Sequence, residues 1–240
     1  MNLREDGIFE VRDIDCPVTD FDWPFVRDER NRIEAHWNKL RRERPALFNG
    51  RVLLMRNPQI AEKKGVQTLR LQAFETGFAN FIAWRDFGFP DASICNCFSM
   101  AALRSADGAW LLGVMGEQTS NAGQIYFPAG TPDLGDIANG QVDFGGSATR
   151  ELLEETGIDG SCLHMADDWS VILHGPRIGC MKVMTAGEDA LTLCDRMDAY
   201  IASQQQPELQ GMHVVRSRAD LIPARMPDFM LRWLCEKLPE

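Results

Sequence analysis

Between residues 28 and 44 the apolar positions Ile33, Trp37 and Leu40 recur at helical spacing among many charges, which predicts an amphipathic surface helix ended by Pro45. Asn49-Gly50 then signals a turn. Residues 51–55 and 67–74, the latter alternating apolar and polar at Leu69, Leu71 and Ala73, predict a pair of strands joined by a loop over 57–65. A second helix is expected over 75–87, from Phe78, Phe81, Ile82 and Trp84, closing near Gly88 and Pro90. Further on, 96–103 and 109–115 are apolar runs joined across Ser105-Ala106-Asp107-Gly108, a strong hairpin signal. The stretch from Pro128 to Gly146 is rich in Gly, Pro and Asp and predicts a long loop, the kind of segment that carries function. Strands are expected at 169–174, 178–185 and 210–215, with helices at 190–204 and 227–238. The expected organisation is an N-terminal α+β extension over 1–92 packed on a main α/β domain over 93–240.

One segment interrupts this ordinary patterning. In Arg150-Glu151-Leu152-Leu153-Glu154-Glu155-Thr156-Gly157-Ile158, a helix places Glu151, Glu154 and Glu155 on one face while Leu152 and Ala148 turn toward a core. Like charges at this spacing destabilise a helix by a few tenths of a kcal/mol (~0.2–0.5) per pair, so the pattern asks for a positive partner. Carboxylate oxygens suit Mg²⁺ or Mn²⁺, and Mg²⁺ uses few protein carboxylates together with water and substrate phosphates. Gly157 fits a left-handed helix cap, Ser147 or Asp143 can cap the start, and Arg150 can reach Glu154 or a carboxylate of the adjoining loop.

Composition narrows the partners. The 240 residues are 45% hydrophobic and 25% charged, as in a globular protein, and the formal net charge of −10 argues against a general nucleic-acid or anionic-membrane surface. Residues 1–6 open with acidic side chains and hold no apolar signal segment, so a cytoplasmic location is expected. The seven cysteines lack paired metal spacing and read as reduced thiols; Cys95 and Cys97 would share one strand face as packing residues. Arg41, Arg42 and Arg44 read as a solvated helix face. The four histidines form no ligand spacing, although His174 could face a site from its strand; no P-loop or dinucleotide glycine motif is present.

The Arg-Glu-Leu-x-Glu-Glu-x-Gly-Ile segment, following Phe127-Pro128-Ala129-Gly130, resembles the Nudix hydrolase family, whose box runs Gly, five residues, Glu, seven residues, then Arg-Glu-U-x-Glu-Glu-x-Gly-U with U aliphatic. The second half matches at every fixed position. Gly130 lies 20 residues before Arg150 where the pattern gives 14, which reads as a six-residue insertion in the loop; counted back from Arg150, the isolated glutamate falls on Val142, with Asp143 the nearest carboxylate. The resemblance implies an α/β/α sandwich around a mixed sheet and a metal-dependent diphosphatase acting on a nucleoside diphosphate derivative, a UDP- or ADP-sugar foremost. It implies Glu151, Glu154 and Glu155 as metal ligands, Glu154 and Glu155 as catalytic groups, and Gly130 and Arg150 on the substrate side. A further carboxylate from a late loop would serve as general base, with Glu208 first and Glu188 and Asp189 as alternatives. Trp37 and Leu47-Phe48-Asn49-Gly50 weakly resemble the extension of a subgroup acting on UDP-sugars. Trp84, Trp110 and Tyr126 read as core residues that could otherwise stack on a base. A Nudix-like sensor that binds a nucleotide metabolite without cleaving it is the competing reading, and the extension is the surface a homodimer would use.

Overall fold

The extension is threaded into the main sheet by hydrogen bonds from its first strand onward. The computed structural model describes residues 6–45, 47–63, 65–119 and 121–239; the acidic segment before Asp6 lies outside these. In chain order the elements are β1 (Gly7–Val11), β2 (Asp13–Asp15), α1 (Pro24–Asp28), α2 (Arg30–Glu43), β3 (Arg51–Lys63), β4 (Val66–Gly77) and α3 (Phe78–Asp86). The second part follows with β5 (Ile94–Arg104), β6 (Trp110–Met115), β7 (Ile125–Tyr126), β8 (Ala129–Gly130), β9 (Ile137–Ala138), β10 (Gln141–Val142), α4 (Phe144–Thr156), β11 (His164–Met165), β12 (Trp169–His174), β13 (Arg177–Thr185), α5 (Ala190–Ser203), β14 (Leu209–Val215) and α6 (Asp228–Lys237). Twelve strands form one mixed sheet with the main order β1-β12-β13-β5-β3-β4-β2, while β14, β6 and β7 form a wing and β8 lies against β5. The protein is an α/β fold built on a mixed sheet.

Strand β5 organises the fold because its two faces pack against different layers. Ala101 and Leu103 point to α4 and α5, meeting Ala148, Leu152, Leu193 and Met197. Met100 and Ala102 point the other way, to Phe229, Met230 and Trp233 of α6. This period-two division is what a strand imposes, and it needs apolar residues on both sides, as the near-continuous burial of 99–103 shows. Helices α1 to α3 cover β3 and β4 through a third cluster in which Trp23 packs edge to face on Phe74 and Trp84, and Phe81 lies tilted against Trp84.

Three expectations are corrected here. The loop expected over 57–65 is mostly strand: β3 and β4 pair to Lys63 and Val66, with a register shift between Arg56 and Gln59 at which Asn57 takes φ 56°. The helix expected from 75 begins at Phe78, because Glu75, Thr76 and Gly77 still pair with Leu53, Val52 and Arg51. The expected hairpin of β5 and β6 pairs only at Arg104 and Trp110. Beyond the turn the strands diverge, β6 pairing with β14 and β7, and β8 bonds to β5 at Met100 and Ser99 in the gap. That divergence leaves the opening in which the site is built.

The cysteines follow their expected reading. Cys95 and Cys97 are buried on the same face, Cys97 Sγ lies 3.6 Å from Cys180 Sγ, and burial first of all holds the thiols of Cys16 and Cys97 well above their usual pKa. Trp84 and Trp110 are core residues. No helix among the described residues is long and apolar enough to cross a membrane.

Candidate active site

Helix α4 is fixed at both ends. Asp143 caps the start, its Oδ1 accepting the Gly146 N–H at 2.8 Å, so it is a cap rather than a group of the site. Ser147, the other candidate cap, lies within the helix, buried. At the far end Gly157 takes φ 72° and donates to the Leu153 carbonyl, a conformation glycine adopts without strain. Leu152 and Ala148 face the core, and the helix therefore presents Glu151 and Glu155 toward β8.

The approach is close. The Ala129 N–H donates to Glu155 Oε1 at 3.4 Å, and a Cβ at Gly130 would collide with Glu151 Oε1 and stand 2.5 Å from its carboxyl carbon. Gly130 is thus required by close packing of a carboxylate on the strand backbone. Glu154, on the same helix face, is largely exposed and pairs with Arg150 Nη1 at 3.2 Å.

Arg150 is the hub of a charged lattice. Its Nη2 meets both oxygens of Asp136 at 3.1 Å and Glu151 Oε1 at 3.0 Å. Asp136 is itself buried and accepts the Asp133 N–H at 3.0 Å, closing a capped turn over Leu134–Asp136. Burial pulls the Arg150 guanidinium down, but Glu151, Asp136 and Glu154 outweigh that and hold it firmly charged. Counting back from Arg150 misses Asp136 because the insertion lies between the two. Counted forward, it is the sixth residue after Gly130, and the six residues of Ile137–Val142 that follow form the β9–β10 hairpin, turned at Asn139 and Gly140.

The glutamates are charged only at a cost. Burial above all pushes Glu151 up to about 7, with Arg150 opposing and Glu154, Glu208 and Asp136 adding to the rise. Burial likewise pushes Glu155 up to about 8, helped by Glu151 and Glu208, and its Oε2 is buried with no hydrogen-bond partner. The fold therefore brings Glu208, at the entry to β14, close enough for its charge to be felt by both. Glu188 instead pairs with Arg196, and Asp189 caps α5 by accepting the Thr192 N–H at 2.8 Å. Neither is among the main charges that shift Glu151 and Glu155.

Beside the carboxylates a cleft of about 910 Å³ runs from Gly130 and Tyr126 across the face of Asn96, Phe98 and Met100 to Arg177, and Arg44 and Arg85 of the extension border it. Tyr126 links the two regions: burial raises its hydroxyl to about 12, Asn121 opposing, while Glu155, Glu208 and Glu151 add. Its OH accepts from Asn121 Nδ2 at 3.0 Å. His174 also borders the cleft. Arg44 is exposed, as expected, while bordering the cleft; Arg85 and Arg177 carry no sequence signal, since each is an isolated arginine until the sheet joins them.

The donors suit a hard divalent cation: oxygen ligands only, mutually repelling, one buried oxygen without a partner. As the side chains stand, no group of three or more His, Cys, Asp or Glu among the described residues is arranged to hold a metal ion, and Arg150 draws Glu151 and Glu154 toward itself.

No family model matches the chain, and no curated protein matches it. Among solved structures it is similar to a MutT protein from Methanosarcina mazei Go1, at 17% identity and TM-score 0.38 over 59% of this chain and 91% of that one. It is similar also to the Nudix hydrolase RenU from M. smegmatis, at 14% identity and TM-score 0.38 over 60% and 86%. A Nudix hydrolase from Nitrosomonas europaea gives 16% identity and TM-score 0.37 over 60% and 87%. Likeness at this level assigns no activity to the chain.

Proposed function

We propose that this chain is a Nudix-type hydrolase that cleaves a diphosphate linkage in a nucleoside diphosphate derivative, a nucleotide sugar foremost. The observation that carries the reading is the packing of Glu151 and Glu155 against the β8 backbone at Gly130 and Ala129, where burial pushes them to about 7 and 8 beside a cleft and the charge of Glu208 adds to both shifts. Perturbed carboxylates grouped beside a large cleft mark a functional site better than any one of them alone.

Glu151, Glu154 and Glu155 would hold Mg²⁺ or Mn²⁺, which supplies charge neutralisation on the diphosphate and a lower pKa for attacking water. The chain's own residues do the rest. Arg150, held by Asp136, fixes the carboxylate-bearing face of α4, so that Glu151 and Glu155 stay aimed at Gly130. Glu208, outside the helix at the entry to β14, accepts the proton of the water that attacks phosphorus. The Gly130 backbone allows phosphate to approach the strand, and Tyr126 lines the passage to the cleft that seats the remainder of the substrate.

The test is product release from UDP-glucose, ADP-ribose, NADH, coenzyme A and nucleoside triphosphates, with and without Mg²⁺, by wild type and Glu154→Gln. Metal-dependent turnover lost in the variant supports the hydrolase. Nucleotide binding without turnover by either protein sinks it and leaves a sensor.

A further inference from the structure

The cleft has an unneutralised cationic end. Arg177 opens β13 opposite Asn96, on the same sheet face as Phe98 and Met100, with its guanidinium 5.3 Å from the Phe89 ring centroid. It is half-buried, and among the described residues it has no carboxylate partner. Burial lowers its pKa, and another cation, Arg85, lowers it further. Arg85 is bound on one side only, Nε to Asp86 of its own helix at 2.9 Å, and Asp86 is shared with His36. Arg44 stands at the rim and has no ion pair among the described residues. Glu117 and Asp228 border the same cleft, but neither forms an ion pair with Arg177 among the described residues. Two guanidinium groups that repel one another in a partly dry, aromatic-lined recess are a cost to the fold until an anion enters between them.

The position of this end fixes what it can serve. Arg177 pairs with Asn96 and Gly130 with Ser99, three residues apart on β5, which is roughly 10 Å at a strand's rise of ~3.3 Å per residue. β13 and β8 flank β5 on opposite sides, adding about two strand spacings of ~4.8 Å each. A diphosphate, two phosphorus atoms bridged by one oxygen, does not span that separation. A diphosphate extended by a sugar or a nucleoside does.

We propose that Arg177 and Arg85 form a second anion site, which binds a phosphate ester or carboxylate carried on the substrate one sugar or nucleoside away from the diphosphate. Guanidinium forks suit both anions, and the rings of Phe89 and Phe98 wall the intervening moiety. The substrate assignment rests on the hydrolase reading above, whereas the anion site does not require it.

The experiment compares matched ligands that differ by one anionic group: UDP-glucose with UDP-glucuronic acid for the carboxylate, and ADP-ribose with its 2′-phosphate for the ester. Binding is measured by calorimetry in chelator, and turnover separately with Mg²⁺. In wild type the member with the extra anion in at least one pair binds tighter by roughly tenfold, one charge-assisted contact's worth, and which pair responds identifies the anion. Arg177→Gln and Arg85→Gln, each verified folded by its melting curve, abolish that preference and leave binding of the member without the extra anion unchanged, while Arg177→Lys restores part of it. Equal affinities within both pairs, or variants that weaken both members of a pair alike, overturn the site. Charge preference in binding without turnover keeps the site and sinks the hydrolase; turnover without charge preference does the reverse.

Discussion

Replacing Gly130 with alanine separates the geometry of the acidic cluster from the stability of the fold. The added Cβ would sit 2.5 Å from the Glu151 carboxyl carbon, against the ~3.5–4.0 Å of ordinary carbon contact, so the carboxylate must retreat by about 1 Å or more. What gives way is the far end of a flexible side chain rather than backbone, and Gly130 does not use a left-handed conformation, so alanine fits the strand. The stability cost is then small, below about 1 kcal/mol, or no more than a few degrees in Tm for a chain of this length. The functional cost is large, because misplacement of a reacting constellation by ~1 Å can cost on the order of a hundredfold in rate. The assay pairs a thermal melt with metal-dependence curves for turnover of the best nucleotide substrate. The expected outcome is a near-native melt, a higher Mg²⁺ requirement and kcat/KM reduced by about a hundredfold. Native kinetics at native Mg²⁺ would refute the idea that Glu151 must lie against the β8 backbone, and with it the placement of the metal at that strand end.

Other outcomes follow from the same contacts. Asp136→Asn removes the charge that holds Arg150; because about a third of the Arg150 side chain faces water, the cost falls below that of a fully buried pair, about 2 kcal/mol, read as a Tm lowered by roughly 5 °C, and an unchanged melt would contradict the lattice. Glu155 has a folded pKa of about 8 against 4.5 in the open chain, so the folded form binds the extra proton and stability is lost as pH rises between those values. In chelator, Glu155→Gln should therefore flatten the pH dependence of Tm and be more stable than wild type at pH 8 by about 2 kcal/mol; parallel curves for the two proteins would refute it. Gly157→Ala forces a side chain into a left-handed cap and to 2.5 Å from the Tyr200 ring, with an expected loss of about 2 kcal/mol in chemical denaturation that equal midpoints would disprove.

Much of the fold and the site's nucleus was legible because local chemistry wrote it. The Glu151, Glu154 and Glu155 face, the Gly157 cap and most strands follow from spacing and turn residues within a dozen positions. What escaped depended on tertiary pairing. The 57–65 segment is polar and holds Asn57 and Pro58, yet the long partner β4 keeps it extended past a register shift. The departure of β6 from β5 is decided by β14, about a hundred residues later, and not by the Asp-Gly turn. Asp136 hid behind the β9–β10 hairpin, and Arg85 and Arg177 acquire meaning only when α3 and β13 reach the same cleft.

The pairing of β1 with β12 also bears on how the molecule comes into being. Glu10 lies opposite Ser170, its carboxylate accepting from the Ser170 hydroxyl at 2.8 Å across 160 positions. A chain emerging from the ribosome must therefore carry an unpaired, half-apolar strand until β12 has been made, and closing so long a loop comes late and slowly. The early segment is exposed in the interim to pairing with a neighbour's β12, so crowding on polysomes and helper proteins that shield nascent strands would bear on the yield of folded protein.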